Sequence, residues 1–279
     1  MKQPFIGSEA IASGALTPYG LRSRFVALYP DVHVSADTEV TAVIRAKAAW
    51  LWSGRKGVVA GQSAAALHGA KWVDARRPAE LLWSNRRPPR GIRTWSDRFA
   101  DDEIECVDGV LVTTPARTAL DIAARYPLGR AVAAIDALAR KKHLKIADVE
   151  LLAEKYRGRR GIRQARTVLD LVDPGAESPQ ETWLRLMVIR NNFPRPQTQI
   201  PVYDEFGALV AVFDLGWEDK LIAMDYEGEH HRLTRRVFNH DIRKAEAVAE
   251  LGWTDIRVTA EDSEGGIIRR LSAAWARRT

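Results

Sequence analysis

The stretch AVFDLGWEDKLIAMDYEGEHHR, residues 211–232, reads as two β-strands that carry acids among their apolar residues. An ionised carboxylate inside a strand is costly unless it meets water, a hydrogen-bond donor or a cation. Glu218-Asp219 makes a turn between runs at about 208–217 and 220–227, so the two should pair as an antiparallel hairpin. With Trp217 facing Lys220, Val212 lies opposite Asp225, and alternation puts Asp214, Asp225 and Glu227 on one face. Any loop with an even number of residues keeps that parity. Three converging acids repel one another. A hard divalent ion, Mg2+ or Mn2+, held by one or two carboxylates, waters and a substrate phosphate, would relieve the repulsion. Such an ion polarises the phosphate and helps to generate a hydroxide nucleophile. A solvated acidic face is the alternative.

Working outward, Ser178-Pro179-Gln180-Glu181 opens a helix to about Asn191, with Ser178 as N-cap and Glu181 closing an S-x-x-E capping box. DPGAES (173–178) breaks the preceding helix and marks a domain boundary. The chain before it is basic, with 28 Lys/Arg against 19 Asp/Glu in residues 1–173. The chain after it is acidic, with 14 against 17 in 174–279, and the whole carries +6. Any affinity for a polyanion therefore belongs to the first part.

That part begins with IGSEAIASGALTPYGLRSRFVALYPDVHVS (6–35), two short helices around Gly14 followed by a β-like VHVS. Ser8 can cap the first helix, and Thr17-Pro18 is a cap-plus-N1 start for the second, which carries Arg22 and Arg24. Helix, glycine turn, helix and strand outline a winged helix-turn-helix whose second helix would enter a major groove. A helical hairpin with solvated arginines is the bland alternative. Further helices are expected over Val40–Trp52 and Ser63–His68, with Ser63 as an N-cap. Gly61-x-Ser63 lacks the second glycine of a nucleophile elbow. Short strands fit 79–84, 91–95 and the neighbourhood of Val107–Val112. Thr114-Pro115 starts a helix, and alanine-rich helices cover about 128–140 and 146–156. KYRGRRGIRQARTVLDLV (155–172) ends in a helix with a basic face. Its Arg157, Arg159, Arg160 and Arg163 are candidates to join Arg22 and Arg24 on DNA phosphates.

The residues around the acidic hairpin resemble the PD-(D/E)xK nuclease pattern. They are most similar to the small bacterial endonuclease-like domains related to the very-short-patch-repair (Vsr) mismatch nickases. The likeness rests on Ser178-Pro179-Gln180-Glu181, Asp214 with Trp217, Asp225-Tyr226-Glu227-Gly228-Glu229-His230-His231, Asp241-Ile242-Arg243, and Gly252-Trp253 followed by Arg257. It spans about 100 residues. The acids come as D-x-E-G where those domains usually have E-x-D-G, and Lys220 and Lys244 are the only lysines after residue 173. The first half resembles the winged-helix regions of AbiEi-type antitoxins, with TTPARTALD as its most family-like stretch.

The resemblance implies an α/β (α+β) chain in three parts. These are a winged-helix DNA-binding region (1–56), an AbiEi-like α/β and helical region (57–172), and a restriction-endonuclease-like domain with a central mixed sheet (173–279). It implies a Mg2+- or Mn2+-dependent endonuclease acting on DNA. Asp214 and Asp225 would hold the metal, supported by Glu181, with Glu227 beside them and His231 as general base or leaving-group partner. The other expectation is a DNA-binding regulator or antitoxin, paired with a toxin or other protein, whose nuclease-like domain no longer cuts. One cysteine (Cys106), no apolar run long enough to span a bilayer and no secretory leader make the cytoplasm the default location.

Overall fold

A computed structural model describes residues 3–85, 87–228 and 245–278. The chain forms two compact units, Met1–Val172 and Asp173–Thr279. Both mix helices with sheets, an α+β architecture.

The first unit starts with β1 (Phe5–Ile6), α1 (Gly7–Ala12), α2 (Pro18–Arg24), β2 (Phe25–Tyr29) and β3 (Val32–Ser35). The strands form a small antiparallel sheet in the order β1-β3-β2. Helix α3 (Ala42–Trp52) begins where the Thr41 hydroxyl accepts the Ile44 N–H at 3.2 Å. Its Ala46, Ala48 and Ala49 are fully buried and let neighbouring elements approach closely. A second sheet of five strands has the order β6-β5-β4-β8-β7, with β4 at Val58–Val59, β5 at Ala79–Leu82, β6 at Ile92–Trp95, β7 at Ile104–Val107 and β8 at Val110–Thr113. It is mixed: β5–β6 and β4–β8 run parallel, β4–β5 and β7–β8 antiparallel. The strand expected around Val107–Val112 is instead the centre of a hairpin. Asp108 and Gly109, at φ 49° and 77°, supply the two left-handed residues of a tight hairpin turn. Tyr29 and Val32 of the small sheet share one apolar cluster with α3 and the five-stranded sheet, so the first 56 residues have no separate core.

Helix α4 (Gly61–Leu67) starts two residues earlier than expected, and Ser63 is not its cap. The hydroxyl of Ser63 is buried and accepts the Glu80 N–H at 3.0 Å, while a carboxylate oxygen of Glu80 accepts the Gln62 N–H at 2.9 Å. Gly61 sits at φ +55°, and a Cβ there would run into Glu80 and Trp95. Helices α5 (Pro115–Arg125), α6 (Leu128–Lys142), α7 (Ile146–Lys155) and α8 (Ile162–Asp170) complete the unit, with α5 packed against α4, α6, α7 and α8.

The second unit contains α9 (Pro179–Arg190), β9 (Gln197–Tyr203), β10 (Leu209–Trp217), β11 (Ile222–Tyr226), a helical segment α10 over 245–250, β12 (Thr254–Val258) and α11 (Glu264–Ala276). Its sheet runs β12-β11-β10-β9, with β11 and β12 parallel and the other pairs antiparallel. One face packs Leu215, Trp217, Ile222 and Met224 against Leu184, Met187 and Val188 of α9 and Ile267 and Leu271 of α11. The other packs Ile200, Phe213 and Ala223 against Val248 of α10. No helix among the described residues is long and apolar enough to cross a membrane.

Candidate nucleic-acid surface and carboxylate site

Helix α1 turns into α2 through Gly14 at φ +74°, and Thr17 caps α2 by accepting the Gly20 N–H at 3.0 Å. Gly20 faces inward, while Tyr19, Arg22, Ser23 and Arg24 are exposed along α2. The β2–β3 hairpin follows at once. Ser8 does not cap α1 as expected. The cap comes from Asp31 at the hairpin turn, at φ +60°, whose carboxylate accepts the Ser8 N–H at 2.9 Å and the Ser8 hydroxyl. The tip of the hairpin is thus fastened to the start of α1.

Among the four arginines singled out in 155–172, Arg157, Arg160 and Arg163 are exposed, Arg163 on α8. Arg159 is different. Its guanidinium donates to Asp121 at 2.6 Å and pairs with Asp97 at 3.3 Å, which leaves its side chain 10% exposed. Its partners tie it to the interior, unlike its exposed neighbours.

Arg159 belongs to a buried network built on TTPARTALD. Thr114 caps α5, Pro115 follows at N1, and the hydroxyls of Thr113 and Thr118 lie 2.7 Å apart. Arg117 is fully buried. Its Nε donates to both Asp121 oxygens at 3.2 Å, and its Nη1 donates to Glu103 and, at 3.3 Å, to the Tyr156 hydroxyl. Glu103 also accepts from Lys155 and Tyr156, each at 2.7 Å. Burial raises the Glu103 carboxyl, but hydrogen bonds from Lys155, Tyr156 and Arg117 outweigh it and leave the pKa below the ordinary value. Sequence reasoning missed this network. The available signal was Arg117 and Asp121 four apart on one helix, a spacing that brings side chains together.

The acidic hairpin has a four-residue connection, with a 3-10 turn at Glu218–Lys220 and Leu221 at φ +49°. Leu215 pairs with Met224, so Asp214 faces Asp225 one step further on, rather than Val212 as the shorter loop implied. The two aspartates bond reciprocally across the strands. Asp225 Oδ1 accepts the Asp214 N–H at 2.9 Å, and Asp214 Oδ2 accepts the Tyr226 N–H at 2.7 Å. Strand alternation breaks at this point. Phe213 lies in the α10-side core while Leu215, two residues on, lies in the α9-side core, and Gln199 of the neighbouring strand has φ +53°.

The other expected participants have different partners. Glu181 accepts the Glu177 N–H at 2.7 Å while Ser178 Oγ accepts the Glu181 N–H at 3.2 Å, a capping arrangement at the start of α9. Glu227 pairs with Arg257 at 3.2 Å, and Arg257 also holds Asp255 at 3.0 Å. Arg257 is in register with Asp225 across β11–β12 and is the cation that meets this acidic edge among the described residues. His231, with His230 and 241–243, lies outside the described residues. Among those described, no group of three or more His, Cys, Asp or Glu could hold a metal ion.

Comparison with known proteins places a family on the first unit. Two curated relatives, uncharacterized proteins from two strains of Mycobacterium tuberculosis, are each 34% identical over 160 residues, covering 57% of this chain and 58% of the relative. The chain thus spans a little over half the length of these relatives. No solved structure matches. The family model described as the AbiEi antitoxin C-terminal domain matches residues 57–171, so it takes in TTPARTALD but neither α1, α2 and the β2–β3 hairpin before it nor the acidic hairpin after it. Residues 57–171, with the Arg117 network at their centre, are similar to the AbiEi antitoxin C-terminal domain.

Proposed function

We propose that the chain is a DNA-binding regulator of the antitoxin kind, with a toxin or other protein as its partner. The observation that carries this reading is the exposure of Arg22 and Arg24 on α2, a helix entered through a glycine turn and followed directly by a β-hairpin. The AbiEi match on 57–171 and the basic balance of the first unit support it. The test is binding of the intact protein to duplex DNA from upstream of its own coding sequence, against a shuffled duplex, over a range of salt. Arg22→Ser/Arg24→Ser should weaken binding and lower the salt slope by about 2, close to 0.9 for each phosphate no longer neutralised. An unchanged slope sinks the assignment of α2.

A second reading is metal-assisted phosphodiester hydrolysis at Asp214 and Asp225. It is favoured by their direct opposition beside a break in strand alternation, the kind of irregularity found next to active sites. Two carboxylates suit Mg2+, which keeps waters and takes substrate phosphate oxygens; bound there, the ion would supply Lewis-acid polarisation of the phosphate. Asp214→Asn is the discriminating variant, because the amide oxygen can still accept the Tyr226 N–H. Cleavage of DNA by the parent with Mn2+ that disappears in Asp214→Asn supports this reading. Equal activity of both proteins refutes it.

A further inference from the structure

The segment ARRPAELLWSNRRPPRGIR (75–93) holds six arginines against the single acid Glu80. Arg76 is paired with Asp74 at 3.0 Å, and Glu80 is buried, with burial raising its carboxyl pKa. Arg87, Arg90 and Arg93 are exposed, and Arg77 and Arg90 form no ion pair among the described residues. The parallel register Ala79–Ile92 brings Arg77 and Arg90 to the same end of β5 and β6. Arg45 of α3, steadied by donating from Nε to the Ala75 carbonyl at 2.6 Å, joins Arg77 and Arg93 around a recess of about 30 Å³ that Asp74 and Glu80 also line, with Arg93 3.7 Å from Glu80. Three arginines against two acids leave the recess net positive. The patch is also tied to the hairpin, since the Tyr29 hydroxyl at the end of β2 donates to the Gly91 carbonyl at 2.9 Å. Helix α2 joins the other end of the same strand, five residues or about 15 Å away.

We infer that the DNA-contacting surface of this unit extends from α2 along β2 to the start of β5 and β6, where Arg77, Arg90 and Arg93 contact the phosphodiester backbone and the recess shared with Arg45 seats a phosphate. The inference rests on the DNA-binding reading above and adds a second, sequence-independent contact to it. A duplex presents a negative charge about every 1.7 Å of axis, so a strip of this length meets several phosphates.

The test measures fluorescence anisotropy of a labelled mixed-sequence duplex with the full chain over a range of KCl. Arg77→Ser/Arg90→Ser/Arg93→Ser should lower the salt slope by about 2 to 2.7, with about 0.9 from each of Arg77 and Arg90 and less from Arg93, which lies 3.7 Å from Glu80, equally for all duplex sequences. Arg76→Ser, a fully exposed arginine already paired with Asp74, should change the slope by far less. Arg90→Ser alone, at an exposed position, should lower it by about 0.9 and guards against a folding defect in the triple variant. If the triple and Arg90→Ser variants keep the parental slope while Arg22→Ser/Arg24→Ser loses affinity, the extension is wrong and the α2 reading survives. If the parent itself fails to bind duplex, both fall. Preference for a single strand of the same sequence overturns the duplex assignment.

Discussion

Arg117→Met tests the interior of the first unit most directly. The side chain is fully buried, and removing it leaves Glu103 and Asp121, both nearly inaccessible, without their shared cation. Breaking a buried ion pair from one side costs about 3–5 kcal/mol. Here the remaining partners soften the loss. Asp121 keeps Arg159 at 2.6 Å, and Glu103 keeps Lys155 and Tyr156 at 2.7 Å. The expected cost is therefore near the lower end, about 3 kcal/mol, with methionine filling much of the vacated volume. Because the chain has two units, a single unfolding midpoint would mix their stabilities. Hydrogen exchange of α5 amides reads the right region. A loss of about 3 kcal/mol should speed their exchange roughly 150-fold while leaving peptides of β10 and β11 unchanged. The double variant Arg117→Met/Glu103→Gln should cost less than the sum of the singles, since neutralising Glu103 removes one stranded charge. Acceleration below about tenfold would show that water or rearrangement solvates the two acids, and the network would then hold the fold together far less than its burial implies.

The same network sets an acid limit. Glu103 has a lowered pKa when folded, so its contribution is present above the unfolded carboxylate value and is lost as pH falls through the folded one. Hydrogen exchange should show α5 losing protection below the ordinary glutamate range, and this loss should shrink in Glu103→Gln. Glu80 works in the opposite direction. Burial raises its pKa, so its contribution is present at low pH and is lost as pH rises through the folded value. Glu80→Gln, which keeps an acceptor for the Gln62 N–H, should gain thermal stability relative to the parent as pH rises, and a pH-independent difference would refute this. Gly161→Ala should cost roughly 1–3 kcal/mol in the same exchange assay, because the position has φ +84° and a Cβ would strike the Ala124 carbonyl.

Much of the fold was legible because local chemistry and tertiary structure agree. Thr17-Pro18, Thr114-Pro115 and Ser178-Pro179 all start helices as their cap-plus-proline spelling implies. Where the sequence misled, a distant residue had taken over a local role. Asp31 caps α1 from the hairpin turn, which Ser8 alone could not reveal, and Glu80 occupies the start of α4, which frees Ser63 to bind β5. Arg159 looked like its exposed neighbours until Asp97 and Asp121, 62 and 38 residues earlier in the chain, were placed beside it. A run of arginines announces positive charge; which of them stay outside depends on where the acids fold.

The acidic hairpin shows how correct parity can still lead to an incomplete conclusion. Parity depends on an even loop, and the four-residue connection satisfies that, so Asp214 and Asp225 do meet across the strands. Parity also assumes unbroken alternation, and this fails where β10 changes cores at Asp214. The two reciprocal bonds explain the aspartates physically, since each carboxylate accepts a backbone N–H from the strand it faces. Glutamate at either position would place the acceptor about one methylene too far. The order D-x-E-G therefore suits the hairpin itself: the short side chain sits where a backbone N–H is met, and the longer Glu227 reaches sideways to Arg257. Asp225→Glu should then disturb the hairpin even without metal. Hydrogen exchange of the Asp214 amide should rise by roughly five- to tenfold for a broken bond of about 1–1.5 kcal/mol. Glu227→Asp should leave that amide unchanged while loosening only the pairing with Arg257. If both variants protect the Asp214 amide equally, the reciprocal bonds are not what fixes aspartate at position 225.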